Sequence, residues 1–353
     1  MILHSAPGLD PLLWREVRRL DPDATREAAR LVERRNSLLL VDSYDPEELL
    51  RSRIAEDVYA CVAHVQEIEL GRRGLDQLAT LARTAPGWDE ALRLHARVTG
   101  GRGNRRTSTY RVISRAQGER GYRRTEAGRA VEAGLRARLG KHWKVVEDAA
   151  QVEVWLTLLN TEAFIGIRLT NRGQRHRDKA AHLPASLRPS IAAAMVSLSD
   201  PQDDDVLLDP FCGAGTILLE RAAAGRYKLL IGSDKSREAL EAARANIGER
   251  HKPLELHRWD ATGLPLDSDT VTAVVTNPPF GEQLGSHEDN QQLYPRFLRE
   301  AYRVLRPGGR LVVLSPERGI MRRELAAPNW SVMGKYDLRV LGRSASIYAA
   351  RRV

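Results

Sequence analysis

Asn277-Pro278-Pro279-Phe280 is the segment whose residue types most directly suggest chemistry. It follows Val274-Val275-Thr276, which reads as a buried strand, and two consecutive prolines cannot continue a sheet ladder, so the strand stops there. Such a stop serves as a rigid turn. It also aims the Asn277 side chain and the Pro278 carbonyl into the crevice beyond the strand end. These groups are two hydrogen-bond acceptors with no strong base beside them. They can take the two hydrogens of an amine whose lone pair is delocalised, while Phe280 either stacks on a planar base or is simple core. Catalysis by this set is positioning and electrostatics, and it calls for no metal.

A second stretch must place a co-reactant beside that turn. Val206-Leu207-Leu208-Asp209 reads as a strand, Pro210-Phe211-Cys212-Gly213-Ala214-Gly215 as a turn, and Thr216-Ile217-Leu218-Leu219-Glu220 as the start of a helix. Gly213 and Gly215 let backbone approach a ligand closely. A nicotinamide-type loop needs a third glycine at 218, where Leu218 stands, and a P-loop needs a lysine that is missing. What remains is the glycine loop of an S-adenosylmethionine (SAM) site. Leu229-Leu230-Ile231-Gly232-Ser233-Asp234 is a second strand, and its terminal acid lies about 20 residues after the loop, where doubly wound folds hold a ribose diol. Asp234 could equally cap the helix that begins near Ser236.

In this order and spacing the three segments resemble the class I SAM-dependent methyltransferases that act on exocyclic amino groups. The resemblance implies SAM as cofactor and Asn277, Pro278, Pro279 and Phe280 as the catalytic turn. It implies cofactor contacts from Asp209, Phe211, Gly213, Gly215, Thr216, Asp234 and Asn277. Asp260 would accept from the adenine amine, with Ala261-Thr262-Gly263-Leu264-Pro265 as the familiar continuation and the bulky Trp259 as a departure.

The 353 residues carry a net charge of +9, and the excess lies in the N-terminal half. Residues 1–188 hold 33 Lys and Arg against 25 Asp and Glu; residues 189–353 hold 22 against 21. From Arg97 to Arg124 there are nine arginines and one acid, Glu119. A basic surface of that density suits a polyanion, because each phosphate contact releases counterions, and arginine allows bidentate contacts. Arg102, Arg105, Arg106, Arg111 and Arg115 are the candidate phosphate ligands. A solvated face in an arginine-rich chain is the plainer alternative. Cys61 and Cys212 are too few for a disulfide framework or a zinc site. No apolar run approaches the roughly 20 residues of a membrane span, and no charged-then-apolar leader opens the chain. A cytoplasmic protein is expected.

In chain order, Ile2–His4, Leu38–Val41 and Val58–Ala63 read as strands and Leu9–Leu20 as a helix, a pattern compatible with a ferredoxin-like α+β unit over 1–70. Residues 71–97 read as helix broken at Pro86-Gly87. Thr109–Ser114 is a strand, a helix capped by Thr125 runs to about Leu139, and Val152–Leu158 with Ala163–Leu169 forms a hairpin. Residues 71–170 so arranged resemble a THUMP domain, an RNA-binding module of tRNA-modifying enzymes that helps hold the acceptor end. Residues 171–188 form a linker in which Leu183 and Pro184 lie in the segment that, by the resemblance, closes over the methionine end of SAM, while His182 reads as a surface residue. Residues 189–353 are then the class I (Rossmann-like) domain, α/β with a mostly parallel seven-stranded sheet.

The whole resembles the THUMP-containing tRNA guanine-N2 methyltransferases, and the Asn-Pro-Pro-aromatic turn is similar to that of the group acting on the acceptor stem at guanine 6. Phe280 in place of the commoner tyrosine keeps a stacking surface. Other substrates stay open at this stage: guanine-N2 of ribosomal RNA, N6-adenine or N4-cytosine in DNA, or glutamine in a protein. An RNA-binding protein with a decayed SAM pocket is the non-enzyme alternative.

Overall fold

The computed structural model describes residues 1–32, 36–100, 108–170, 186–249, 251–281, 287–340 and 342–353. The chain divides into two compact units, one made of Met1–Ser5 and Leu13–Arg175, the other of Ala6–Leu12 and His176–Val353.

The first unit contains β1 (Ile2–Ser5), β2 (Thr25–Val32), β3 (Asn36–Asp42), β4 (Asp57–Val65), β5 (Ser108–Gln117), β6 (Trp143–Val145), β7 (Val152–Leu159) and β8 (Glu162–Arg168). They form one eight-stranded sheet in the order β2-β3-β1-β4-β8-β7-β5-β6. Strand β4 pairs antiparallel with β8, from Tyr59↔Arg168 to Val65↔Ala163. The sheet therefore runs without interruption across the boundary expected near residue 70. It is also strongly curled. Arg30 on β2 donates to Glu162 on β8 at 2.7 and 2.9 Å, although in a flat sheet strands four places apart lie about 19 Å apart. The concave side buries Ile2, Leu38, Leu40, Tyr59, Trp155 and Phe164.

Helices α1 (Asp10–Leu20), α2 (Arg73–Thr84), α3 (Trp88–Val98) and α4 (Arg124–Leu139) follow the expected periodicities, and α2 stops before Pro86 as anticipated. The α4 cap differs from expectation. It is Arg123, whose N–H donates to Glu126 at 2.7 Å. Thr125 sits inside the first turn, because a glutamate three residues after the cap satisfies the helix start better than a hydroxyl two residues too late. Strand β2 had no apolar alternation to betray it: Thr-Arg-Glu-Ala-Ala-Arg-Leu-Val is an exposed edge strand.

The second unit carries β9 (Val206–Asp209), β10 (Leu229–Ser233), β11 (Leu254–His257), β12 (Val271–Thr276), β13 (Leu305–Ser315), β14 (Trp330–Val340) and β15 (Arg343–Arg352). Their order is β11-β10-β9-β12-β13-β15-β14. The first five are parallel to their neighbours, and β15 lies antiparallel between β13 and β14. This is the mostly parallel seven-stranded α/β sheet expected. Its helices are α5 (Pro189–Leu198), α6 (Thr216–Ala223), α7 (Arg237–Ile247), α8 (His287–Val304) and α9 (Arg318–Leu325). Helices α8 and α9 bury Tyr294, Phe297, Leu298, Ala301, Ile320 and Met321 against Leu208, Ile231, Val274, Leu311 and Val313 of the strands. Strand order reverses between β9 and β12, and such a reversal opens a crevice beyond the carboxyl ends of the strands. At the opposite ends, buried Asp205 binds Arg221 at 3.1 Å, Thr272 at 2.7 Å and Arg310. This ion cluster ties the starts of β9, β12 and β13 together. No helix among the described residues is long and apolar enough to cross a membrane.

Candidate active site

The carboxyl ends of β9, β10, β11 and β12 deliver Asp209, Asp234, Asp260 and Asn277 to one edge of the sheet. The glycine loop joins two of them. Gly213 adopts φ +50°, and among the described residues nothing beyond its own chain neighbours lies within 4 Å of where a Cβ would stand, so its backbone face is open toward them. Its N–H donates to Asp234 at 3.0 Å. Gly215 caps α6 at φ +77°, and a Cβ there would lie 2.9 Å from Ile247 of α7. The first glycine thus leaves room for a ligand, while the second is required by the fold.

Asp234 accepts from Gly213 through one oxygen and from the Ser236 N–H, at 2.9 Å, through the other. Ser236 rather than Asp234 caps α7, its hydroxyl accepting from the Ala239 N–H at 3.1 Å. Asp234 is therefore a fixed carboxylate with lone pairs left for a diol. Asp260 accepts from the Thr262 N–H and hydroxyl at 2.9 and 2.8 Å and pairs with Lys235 at 3.0 Å. Burial pushes its carboxyl up, but the Thr262 and Lys235 bonds outweigh burial and hold it below the usual range. Lys235 follows Asp234 directly, so this pair links the two strand ends. Trp259 stacks on His257 at 4.0 Å.

Asp209 is almost wholly buried, 1% exposed. The Thr276 hydroxyl donates to it at 2.6 Å and the Phe211 N–H at 3.3 Å. Burial dominates all the same, and with the nearby Asp234 charge it pushes the Asp209 carboxyl up to about 7. Burial likewise raises the Cys212 thiol, which makes it a packing residue instead of a nucleophile. The Thr276–Asp209 bond connects the glycine loop to the residue immediately before Asn277. Thr276 is thus a site residue that the sequence reading passed over; its signal was a hydroxyl closing an otherwise apolar strand.

At the turn itself, the Asn277 side-chain oxygen is buried and finds no hydrogen-bond partner among the described residues. A buried amide oxygen without a donor costs about 1–3 kcal/mol, and a bound amine removes that cost. The orphaned oxygen, the open face of Gly213 and two anchored carboxylates suit SAM and an amine acceptor. Phe280 is half-buried beside them. Phe211 meets Phe297 edge-on at 5.3 Å and is held by α8.

Other expected residues stand elsewhere. Leu183, Pro184, Arg102, Arg105 and Arg106 lie outside the described residues. Arg111 and Arg115 are both on β5 but in different states. Arg111 is held by Glu153 at 2.5 Å and Asp148 at 3.0 Å. Arg115 lies 4.6 Å over the Trp155 ring and has no ion pair among the described residues.

Comparison with known proteins agrees with this geometry. The model of the UPF0020 family, an RMKL-like methyltransferase domain, matches residues 172–340. The tRNA (guanine(6)-N2)-methyltransferase of Thermus thermophilus is 32% identical over 323 residues, covering 90% of each chain. The bovine tRNA (guanine(6)-N(2))-methyltransferase THUMP3 is 31% identical over 226 residues, 60% of this chain and 45% of that protein, so the chain spans less than half the length of this mammalian relative. The crystal structure of TrmN from Thermus thermophilus superposes with a TM-score of 0.79 at 27% identity, covering 100% of this chain and 99% of that one. With a glycine loop and an Asn-Pro-Pro-Phe turn at the same sheet edge, and a relative matching nine-tenths of its length, the chain belongs to the family of SAM-dependent tRNA (guanine-N2)-methyltransferases.

Proposed function

We propose that this protein transfers the methyl group of SAM to the exocyclic N2 of a guanine in tRNA, in the acceptor stem at position 6. The observation that carries the reading is the buried oxygen of Asn277, unpartnered among the described residues, at the carboxyl end of β12 beside the switch point. The two relatives compared above, both named for guanine 6, support the position.

SAM, when bound, supplies a methyl carbon activated by its sulfonium. Asn277 and the Pro278 carbonyl accept the two hydrogens of the guanine amine and turn its lone pair toward that carbon. Phe280 stacks on the base and offsets part of the cost of taking it out of the helix. Asp234 takes the ribose diol and Asp260 the adenine amine. Asp209, Phe211, Gly213, Gly215 and Thr216 shape the loop between them, with Leu183 and Pro184 covering the methionine end. No residue of the set needs to be a strong base, because the amine sheds its proton after the methyl has arrived.

In the same reading, residues 1–70 are the ferredoxin-like domain, 71–170 the THUMP domain, 171–188 the linker and 189–353 the catalytic domain. The basic stretch that includes Arg102, Arg105, Arg106 and Arg115 meets tRNA phosphates, whereas Arg111, expected to do the same, is engaged instead by Glu153 and Asp148. A tRNA substrate and two free cysteines favour a cytoplasmic location. Digest mapping of unmodified tRNA incubated with the protein and SAM tests the position. N2-methylguanosine at position 6 is expected; the same nucleoside at another position alone would overturn the acceptor-stem assignment.

A further inference from the structure

Ring closure fixes φ of Pro278 and Pro279 near −65°. Because each is followed by proline, Asn277 and Pro278 are also confined to extended ψ. Between the α-carbons of Asn277 and Phe280 the soft torsion left is ψ of Pro279. It sets the plane of the Pro279–Phe280 peptide and therefore where Phe280 points. Among the described residues one side chain hydrogen-bonds to that plane. The hydroxyl of Tyr294, a fully buried residue of α8, donates to the Pro279 carbonyl at 3.2 Å.

The end of β13, near Tyr294 in the same core, is itself tied to α8. The Ser315 oxygen accepts from the Glu317 N–H at 2.9 Å, and the Glu317 carboxylate accepts from the Asn290 amide of α8 at 3.0 Å. All four residues are buried. Burial also raises the Tyr294 hydroxyl well above its ordinary titration range, so it remains a donor at every working pH. One helical turn on, Phe297 touches Phe211 of the glycine loop. Helix α8 thus bears on both loops of the site.

We infer that Tyr294 is a positioning residue that fixes the last soft torsion of the acceptor turn, so that Phe280 and the Asn277–Pro278 acceptor pair are set for the target base before it arrives. The inference rests on the function proposed above for its consequence in catalysis, but its structural half can be measured without activity.

The test uses the full chain with Tyr294→Phe, which keeps the ring and removes the hydroxyl. Prolines 278 and 279 carry no N–H, so exchange in this segment reports on Phe280 and Gly281. Their hydrogen exchange is expected to quicken by about tenfold, with SAM affinity changed less than twofold. The single-turnover methylation rate is expected to fall by about tenfold, a penalty in the transfer step with little change in SAM binding. Unchanged exchange at Phe280 and Gly281 overturns the inference, even if the thermal midpoint falls. Exchange that quickens with the methylation rate intact overturns the catalytic role. A wild-type protein that methylates no tRNA while Tyr294→Phe still loosens the turn would defeat the functional reading and leave the positioning role standing.

Discussion

Asp209→Asn tests the electrostatics of the site through stability alone. In the folded protein the Asp209 carboxyl titrates at about 7 against an ordinary 3.8, because burial removes the charged form from water faster than Thr276 and Phe211 can stabilise it. Below pH 3.8 the carboxyl is protonated in both states and contributes no penalty. Between these values the unfolded chain ionises while the folded chain keeps its proton, so stability falls as pH rises, by about 1.4 kcal/mol per unit. Above pH 7 the loss is complete, at about 4 kcal/mol. Asparagine still accepts from the Thr276 hydroxyl and carries no charge. Its NH2 group introduces a cost that does not depend on pH. The informative quantity is therefore the difference between the two proteins followed across pH, in which every group not coupled to Asp209 cancels. Urea unfolding without SAM from pH 4 to pH 8 should show the variant gaining on the wild type by roughly 4 kcal/mol over that range. A difference flat with pH, or one that favours the variant more at acid pH, would refute the reasoning.

Asp205→Ala should cost about 3–5 kcal/mol in denaturant unfolding, because it strands the buried charges of Arg221 and Arg310. A loss under about 1 kcal/mol would mean that water or the neighbouring carbonyls already satisfy them. Gly215→Ala should destabilise by at least about 1–2 kcal/mol and weaken SAM binding in calorimetry, since alanine at φ +77° is strained and its Cβ would press on Ile247. Arg115→Ala should reduce the salt slope of tRNA binding by about one, whereas Arg111→Ala should leave it nearly unchanged because Arg111 is already paired with Glu153 and Asp148.

The catalytic half was legible because its signals are backbone signals. Paired prolines at 278 and 279 end a strand whatever surrounds it, and Gly213 and Gly215 occupy left-handed φ that a sequence advertises by residue type. The strands β9, β10 and β12 are buried on both faces, so each is a largely apolar run. What escaped reading depends on contacts between distant residues. Thr276 matters because β12 lies beside β9 and brings its hydroxyl to Asp209, and nothing local to Thr276 encodes that neighbour. Tyr294 reads as one more apolar position on a helix until the fold sets its hydroxyl beside Pro279. Strand β2 escaped because an exposed edge strand needs no alternation. In the N-terminal half, element types were readable, but the single curled sheet was not. Its continuity rests on β4 pairing with β8, about a hundred residues away.

Mass spectrometry of nucleosides from unmodified tRNA transcripts incubated with SAM tests the central claim most directly, comparing the wild-type protein with Asn277→Ala. N2-methylguanosine from the wild type, falling by roughly two to three orders of magnitude in rate when the Asn277 acceptor is removed, is the predicted result. Undiminished product from Asn277→Ala, or methylation of another base or of no tRNA at all by the wild type, would contradict it.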